Sequence, residues 1–420
     1  MTHILDELAW RGLIAQTTDA DALRAVLSAG PLTFYGGFDP TAPSLHIGNL
    51  VLILTMRRFQ LAGHRPLALV GGATGLIGDP RQSGERTLNS PEVVQGWVER
   101  IRAQIEPYLD FEGTHAARMV NNLDWTASLS AIDLLRDVGK HYRLGTMLAK
   151  DIVARRLHSD EGISFTEFSY QVLQGMDFSH LARELDCRLQ LGGNDQWGNL
   201  LAGVELTRKR DGLAVHALTT PLITKSDGTK FGKTEGGSVW LDPEMTTPYA
   251  MYQFWLNAGD DDVVHYLKVF TFRSREEIDA LAAAVQDRPA AREAQRALAY
   301  DVTALVHGAA AADAVVAASH ALFGRGSLGD LDERTLAAAV AELPTAAGRP
   351  GDLVVDLLAA TGVVRSKSEA RRAVAEGGAS VNNVRVPDED ATLAAGDLLH
   401  GRWAVLRRGK RTLAVVDATL

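Results

Sequence analysis

Two short apolar runs, each ending in a glycine-rich loop, constrain the fold of this chain most. Residues 32–35 form a β-branched and aromatic run that breaks at Gly36 and Gly37, and residues 66–70 form a second apolar run that ends at 71–75. Between them, residues 50–61 are long and apolar enough for a helix that packs on a sheet. Strand, glycine loop, helix and strand in this order predict an α/β fold with a Rossmann-like parallel sheet.

The rest of the chain predicts a multidomain arrangement. Domain 1–246 would carry the sheet, with a helical insertion at about 91–186, because a strand pattern returns only at 188–191. Residues 247–323 are alanine-rich and predict an α-helical domain, and the glycines and prolines of 324–350 indicate a linker around one short helix. Residues 351–420 predict a small α+β domain, with a capping box at 366–369 and a hairpin turning at Asn382 and Asn383.

Composition excludes several classes of protein. The net charge of −9 argues against nucleic acid covering the whole surface, although the tail from Pro350 carries +1 (10 basic against 9 acidic residues) while the rest carries −10. No apolar stretch approaches the roughly 20 residues of a membrane helix. No secretory leader is recognised, and the lone Cys187 can form neither an internal disulfide nor a zinc cluster. We therefore expect a cytoplasmic protein without a resident metal.

The loop that follows the first strand carries a histidine at a helix start. His46 and Gly48 lie where backbone N–H groups and the helix dipole favour phosphate, and a glycine lets a base or ribose approach closely. A neutral imidazole there can donate a hydrogen bond to a phosphate oxygen. The alternative is that His46 only caps the helix.

A second loop, residues 224–234, contains Gly-Lys-Thr but lacks the glycine spacing of a phosphate-binding P-loop. Lys230 and Lys233 on such a glycine-flanked segment are suited to closing on a polyphosphate and neutralising its charge. The alternative is a solvated basic loop.

Two further groups of polar residues accompany the predicted sheet. Asp195 comes just after the strand and glycines of 188–193, where a carboxylate can accept from ribose hydroxyls; a structural turn is the alternative. Tyr170, Gln174 and Asp177 are spaced four and three apart, so they share one helix face, and a simply solvated face is the alternative.

Taken together, these segments resemble a known enzyme family. Residues 46–49 resemble the HIGH signature and residues 230–234 the KMSKS signature of class I aminoacyl-tRNA synthetases. The tail, 364–386, is similar to the S-four-like RNA-binding module of that family's bacterial tyrosyl enzymes. Two departures from the general signatures occur: Asn49 stands where a second His is usual, and Phe231-Gly232 and Thr234 replace Met-Ser and Ser. The segments that resemble the bacterial tyrosyl-tRNA synthetases in particular are 35–41, 72–80, 170–177 and 192–196.

The resemblance implies activation of L-tyrosine with ATP to tyrosyl-adenylate, followed by transfer of the tyrosyl group to the terminal ribose of tRNA(Tyr). Mg²⁺ would enter with ATP as substrate, no cofactor would be bound permanently, and Arg371 and Arg372 would contact tRNA. Tyr35 and Asp177 would bind the phenol. The implied catalytic residues are Thr41, His46, Lys230, Lys233 and Thr234; those holding the rest of tyrosine are Asp79, Tyr170, Gln174 and Gln196; and those binding ATP are Gly36, Asp39, His46, Gly48, Asn49, Gly193, Asp195 and Lys233.

The family also implies a homodimer formed through the helical insertion. Three other classes share part of the pattern. A tryptophanyl-tRNA synthetase would have the sheet and both signatures but would not need the phenol pair. A nucleotidyltransferase would not need an amino-acid pocket or an RNA-binding tail. A non-catalytic RNA-binding homologue would have no need of His46, Lys230 and Lys233.

Overall fold

The computed structural model describes residues 2–81, 84, 87–226, 228, 231–234, 237–341, 343–409 and 412–420. These residues form two compact units. The first consists of residues 1–245 together with 261–280, and the second consists of residues 246–260 together with 281–420.

The first unit is built around a six-stranded sheet whose order is β1-β6-β5-β2-β3-β4. Only β1 runs antiparallel to its neighbour, and the other strands are parallel. The parallel α/β sheet predicted from the sequence is therefore confirmed. Its strands are β1 (Gln16–Thr17), β2 (Thr33–Phe38), β3 (Arg65–Val70), β4 (Arg118–Asn121), β5 (Cys187–Gly193) and β6 (His216–Thr220).

Helices surround this sheet, and several begin where a side chain satisfies the exposed backbone donors of the first turn. Ser90 and Ser164 each accept a hydrogen bond from the backbone N–H three residues further on. The helices are α1 (Ile4–Arg11), α2 (Ala20–Ala29), α3 (Ile47–Leu61), α4 (Thr74–Ile77), α5 (Pro91–Ile105), α6 (Leu123–Thr126), α7 (Ala131–Asp133), α8 (Leu144–Leu148), α9 (Asp151–Leu157), α10 (Phe165–Glu184) and α11 (Trp197–Asp211), with shorter 3-10 or π turns at Glu106–Tyr108, Leu134–Val138, Gly139–His141 and Asn194–Gln196.

The predicted helical insertion at 91–186 is wrong at one point. It contains β4, which pairs in parallel with β3 and extends the sheet. Four residues with Arg118 and Asn121 at the ends are too few to give a recognisable strand pattern. The helical segment that leaves the sheet therefore lies between β4 and β5.

A hairpin and a series of helices follow β6. The hairpin consists of β7 (Lys233–Thr234) and β8 (Gly237–Ser238). The stretch 247–323 is helical as predicted, yet 261–280 belong to the first unit, so the predicted boundaries are not those of the compact units. The helices are α12 (Pro248–Leu256), α13 (Asp260–Phe270), α14 (Arg275–Asp287), α15 (Glu293–His307), α16 (Ala309–Leu322) and α17 (Glu333–Val340), with 3-10 turns at Pro289–Ala291 and Leu328–Asp330.

The chain ends in a second, five-stranded sheet of order β11-β10-β12-β13-β9. The predicted hairpin is confirmed, since β10 pairs antiparallel with β11 and Asn382 and Asn383 have φ of 46° and 67°. The predicted capping box is only half formed: Ser366 Oγ accepts from the Glu369 N–H, but the Glu369 carboxylate accepts from the Arg365 N–H instead of the Ser366 N–H. The predicted linker 324–350 is wrong at its end, where β9 pairs in parallel with β13. The elements are β9 (Thr345–Ala347), α18 (Val354–Ala360), α19 (Lys367–Ala375), β10 (Ala379–Val381), β11 (Val384–Arg385), a 3-10 turn (Ala395–Asp397), β12 (Trp403–Arg408) and β13 (Thr412–Asp417).

Candidate active site

A cavity of about 770 Å³ opens at the carboxyl ends of β2, β3, β5 and β6 in the first unit. This is the place where an open parallel sheet binds ligands, because loops diverge there from the ends of adjacent strands. Most of the predicted site residues line it: Tyr35, Asp39, Thr41, His46, Gly48, Asn49, Asp79, Tyr170, Gln174, Asp177, Gly193, Asp195 and Gln196.

The deep end of the cavity holds a carboxylate that is fixed by two donors. Asp177, on α10, is 2% exposed. Asn122 Nδ2 donates to its Oδ2 at 3.0 Å, and Trp125 Nε1 donates to its Oδ1 at 2.9 Å. Burial raises the pKa of this carboxyl to about 7, although the hydrogen bonds from Asn122 and Trp125 oppose the shift. Asp177 is thus a rigid acceptor whose charge changes near neutral pH.

Tyr35 lies on β2 at the same end, with its ring edge-on to Phe178 at a centroid distance of 5.3 Å. Its hydroxyl is buried and has no hydrogen-bond partner among the residues that the structure describes. Burial, together with the nearby Asp177, raises the pKa of Tyr35 well above its ordinary value, so the phenol keeps its proton. A buried hydroxyl without a partner costs free energy, which a bound polar group would recover.

Two amide oxygens along the cavity wall share this lack of a hydrogen-bond partner among the described residues. Gln190 is opposite Tyr35 in the β2–β5 register, and Gln174 lies on α10. Within the described part of the chain, the Oε1 atoms of Gln174 and Gln190 are buried without a hydrogen-bond partner. The cavity wall therefore offers polar groups that a polar ligand can satisfy.

The middle of the cavity contains two further carboxylates that neutral donors hold in place. Asp39 accepts from Tyr170 Oη at 2.7 Å and from Thr74 Oγ1 at 2.6 Å. Asp79 accepts from Gln196 Nε2 at 2.8 Å and from Asn199 Nδ2 at 3.2 Å. These described donors are neutral, and a carboxylate can also accept from an ammonium group of a ligand.

His46 is both a helix cap and part of the cavity wall. Its Nδ1 accepts from the Gly48 N–H at 3.0 Å, and Asn49 Oδ1 accepts from the His46 N–H at 3.1 Å, which completes a capping box on α3. Since Nδ1 is the acceptor, the proton of the neutral imidazole lies on Nε2, where it can be donated. A Cβ at Gly48 would lie 2.8 Å from His46 Cε1, so this glycine makes room for the ring.

The other predicted site residues are not among the described residues that line the cavity. Gly36 does not line the cavity; it packs on α3, where a Cβ would lie 2.6 Å from Met56 Sδ. Lys230 lies outside the described residues, and for Lys233 and Thr234 the structure describes only the backbone of β7. Arg371 and Arg372 are exposed on α19 in the second unit.

No group of three or more His, Cys, Asp or Glu side chains among the described residues could hold a metal ion. None of the described helices is long and apolar enough to cross a membrane.

The residues that hold the cavity's carboxylates in place were not predicted from the sequence. Asn122 and Trp125 follow β4, so recognising that strand would have indicated them. Thr74 stands inside a segment that carries the family resemblance, but its role depends on Asp39, which is 35 residues away. Asn199 lies at the start of α11, one turn from Gln196.

The chain matches the family model described as class I tRNA synthetases (W and Y) over residues 27–324. It therefore belongs to this family of aminoacyl-tRNA synthetases, as the resemblance implies. Residues 336–416 also match the model of the C-terminal domain of SYY-like tyrosine–tRNA ligases.

The chain is similar to several tyrosine–tRNA ligases and, at lower identity, to a tryptophanyl-tRNA synthetase. A tyrosine–tRNA ligase of Streptomyces coelicolor is 65% identical over 420 residues, covering 100% of both chains. Another, of Mycobacterium bovis, is 58% identical over 99% of this chain and 98% of its own. A C-terminally truncated mitochondrial tyrosyl-tRNA synthetase of Aspergillus nidulans superposes with a TM-score of 0.68 at 30% identity, covering 75% of this chain and 92% of its own. A tryptophanyl-tRNA synthetase of Encephalitozoon cuniculi, at 13% identity and a TM-score of 0.55 over 79% and 89%, shares the fold alone.

Proposed function

We infer that this protein is a tyrosine–tRNA ligase, which joins L-tyrosine to ATP as tyrosyl-adenylate and transfers the tyrosyl group to tRNA(Tyr). One structural observation carries the choice of amino acid. At the deep end of the cavity, the Tyr35 hydroxyl is buried without a partner among the described residues, and the buried carboxylate of Asp177, held by Asn122 and Trp125, can accept one more hydrogen bond. A phenol donates its proton to Asp177 and accepts from Tyr35, so both groups are satisfied at once.

The rest of the cavity suits the remainder of tyrosine. Asp79, with Tyr170 and Gln174 on α10, binds the α-ammonium group, and Gln196 lies near the α-carboxylate. Phenylalanine would leave the Tyr35 hydroxyl unpaired and would donate nothing to Asp177. A site built to bind a hydroxyl rejects the analogue lacking it by about 10⁴ to 10⁵, a general range for which a tyrosyl enzyme is itself the type example. This selectivity makes a separate editing site unnecessary.

Activation needs positioning more than acid–base chemistry. The tyrosine carboxylate is already a nucleophile, so it attacks the α-phosphate of ATP·Mg²⁺ and pyrophosphate leaves. Thr41 and His46 act on the phosphates from the helix side, and Lys230, Lys233 and Thr234 act from the loop. Gly193 and Asp195 hold the ribose, with Asp39, Gly48 and Asn49 completing the ATP site.

The test is ATP–pyrophosphate exchange with each of the twenty amino acids. Exchange that depends on tyrosine and on Mg²⁺ is the expected result. Exchange with tryptophan would assign the chain to the other branch of its family. Exchange with no amino acid would favour an RNA-binding homologue without catalytic activity.

The terminal domain is proposed to bind tRNA through the exposed basic face of α19, with Arg371 and Arg372. Because β9 belongs to this sheet, a truncation has to precede Thr345. A chain ending at residue 343 should retain pyrophosphate exchange, since all the proposed active-site residues lie earlier, but should charge tRNA poorly. Equal charging by the truncated and full-length proteins would remove the RNA-binding assignment.

The helical insertion is proposed to form a homodimer interface. Large apolar side chains there are exposed, and contiguous exposed apolar surface marks an interaction site. Phe165→Asp should therefore shift the protein to a monomer in sedimentation analysis, and an unchanged mass would contradict the proposal. The exposed residues are Ile132 (68%), Leu135 (61%), Leu144 (66%), Leu148 (39%), Leu157 (44%) and Phe165 (76%).

We place this activity in the cytoplasm. The single cysteine, Cys187, is buried on β5 as a free thiol. Disulfides form in oxidising compartments, and a chain with a single cysteine cannot form one within itself.

A further inference from the structure

Lys150 lies just before α9, in the helical segment between β4 and β5, and it does not line the cavity. Its aliphatic chain packs at the start of α11, where a Cβ at Gly198 would lie 3.5 Å from Lys150 Cδ and Cε. Its ammonium group donates to Asn199 Oδ1 at 3.3 Å. Neither the sequence motifs nor the proposed function uses this residue.

The hydrogen bonds beyond Lys150 all run in one direction. An ammonium group has no acceptor, so it can be paired only with the oxygen of the Asn199 amide. Asn199 Nδ2 is then left to donate to Gln196 Oε1 at 3.0 Å and to Asp79 Oδ1 at 3.2 Å. Gln196 Nε2 in turn donates to Asp79 Oδ2 at 2.8 Å. The cation at one end and the Asp79 carboxylate at the other therefore require the same orientation of both amides.

We propose that Lys150 is a positioning residue for amino-acid recognition, which fixes Asp79 and Gln196 through Asn199 without contacting the substrate. The inference rests on the proposed function, in which Asp79 binds the α-ammonium group and Gln196 lies near the α-carboxylate.

The physical consequence of losing Lys150 is a loss of orientation rather than of a direct contact. An amide without a fixed partner can turn over, and an Asn199 oxygen facing Asp79 would repel its carboxylate. A turned Gln196 would do the same. Burial lowers the pKa of Lys150 to about 8, against the opposing effect of Asp79, so the residue is still mostly charged at neutral pH.

The experiment compares Lys150→Met, which keeps the length of the side chain, with the wild-type protein and with Lys150→Arg. Equilibrium binding is measured for tyrosine and for 3-(4-hydroxyphenyl)propionate, which lacks the α-amino group. We expect Lys150→Met to weaken tyrosine binding on the order of tenfold and the deamino acid much less, because Asp79 is oriented for an ammonium group. Lys150→Arg should recover part of the affinity. The activation rate at saturating tyrosine should change less than KM for tyrosine.

Two controls separate this role from general damage. Lys209→Met removes a lysine from the distal end of α11, where it pairs with Glu205, and should leave tyrosine binding unchanged. Asn199→Ala should weaken tyrosine binding by itself. Adding Lys150→Met should reduce the affinity little further, since both changes break the same series of hydrogen bonds.

Unchanged tyrosine binding in Lys150→Met, or equal weakening of tyrosine and the deamino acid, would overturn the inference. If Lys150→Met does not fold, equal binding of both ligands by Asn199→Ala and wild type would overturn it as well. A wild-type protein that fails to exchange pyrophosphate with tyrosine would instead overturn the proposed function, and the inference with it.

Discussion

The two ends of the cavity are built from different kinds of structure. At the deep end, Tyr35 and Asp177 lie on β2 and α10 and are almost completely buried. At the open end, the proposed phosphate-binding groups come from a helix cap, His46, and from the loop that leads into β7. Recognition of a phenol requires groups that stay fixed, whereas the charge that develops as pyrophosphate leaves requires cations beside the phosphates. The deep end should control which amino acid reacts, and the open end should control how fast it reacts.

The largest effect is expected from Lys233→Ala at the open end. Removing a cation that acts on the leaving pyrophosphate should lower the rate of adenylate formation by about 10² to 10³. Tyrosine binding should be unchanged, because the deep end is intact. Stopped-flow activation rates and equilibrium tyrosine binding measure the two quantities.

Lys225→Ala is the matched control, since Lys225 is an exposed lysine of the same loop. Its loss of rate should be at least about tenfold smaller. A Lys233→Ala protein that lost affinity for tyrosine but formed the adenylate at a normal rate would contradict the assignment of separate roles to the two ends.

A smaller effect is expected from Tyr35→Phe at the deep end. With phenylalanine bound to the wild type, the Tyr35 hydroxyl stays buried and unpaired, which costs about 1 to 3 kcal/mol. Removing that hydroxyl should therefore lower the ratio of kcat/KM for tyrosine to that for phenylalanine by about tenfold or more. Tyr108→Phe, a buried tyrosine outside the cavity, should leave the ratio unchanged. If the ratio stays constant in Tyr35→Phe, the phenol is bound elsewhere.

The division between the two ends also shows what the sequence could and could not predict. The parallel sheet, its glycine loops and the helix face with Asp177 follow from local patterns of apolar and polar residues, so they were predictable. The cavity residues meet because parallel strands end at the same edge of the sheet. Their predicted roles rest on the family resemblance.

What could not be predicted depends on contacts between distant residues. Asn122 and Trp125 reach Asp177 across 55 and 52 residues, and they follow the short strand β4, which gave no pattern of its own. Lys150 reaches Asn199 across 49 residues from a helical segment with no strand pattern. No local periodicity records such pairs, because the two residues of each pair lie about 50 positions apart in the sequence.

The deep end should also respond to pH. Burial raises the pKa of Asp177 to about 7, so the carboxyl is protonated below that pH and ionised above it. The protonated carboxyl of Asp177 has no charged oxygen to accept a hydrogen bond from the phenol. Tyrosine should therefore bind several-fold more weakly at pH 6 than at pH 8 when it is measured without ATP. Phenylalanine binding should not weaken on acidification, and Asp177→Asn should remove the dependence for tyrosine.

The smallest expected effect is a shift of that pH dependence in Trp125→Phe. Trp125 Nε1 donates to Asp177 Oδ1 at 2.9 Å and stabilises the ionised carboxylate, so it lowers a pKa that burial raises. Without this donor the pKa of Asp177 should rise further, and the midpoint of tyrosine binding should move to higher pH by about one unit. Trp97→Phe, on α5 outside the cavity, is the control and should leave the midpoint unchanged. A midpoint that stayed fixed or moved to lower pH in Trp125→Phe would show that Asp177 is not the group that titrates. The rate of adenylate formation at high pH and saturating tyrosine should remain close to that of the wild type, because the groups of the open end are untouched.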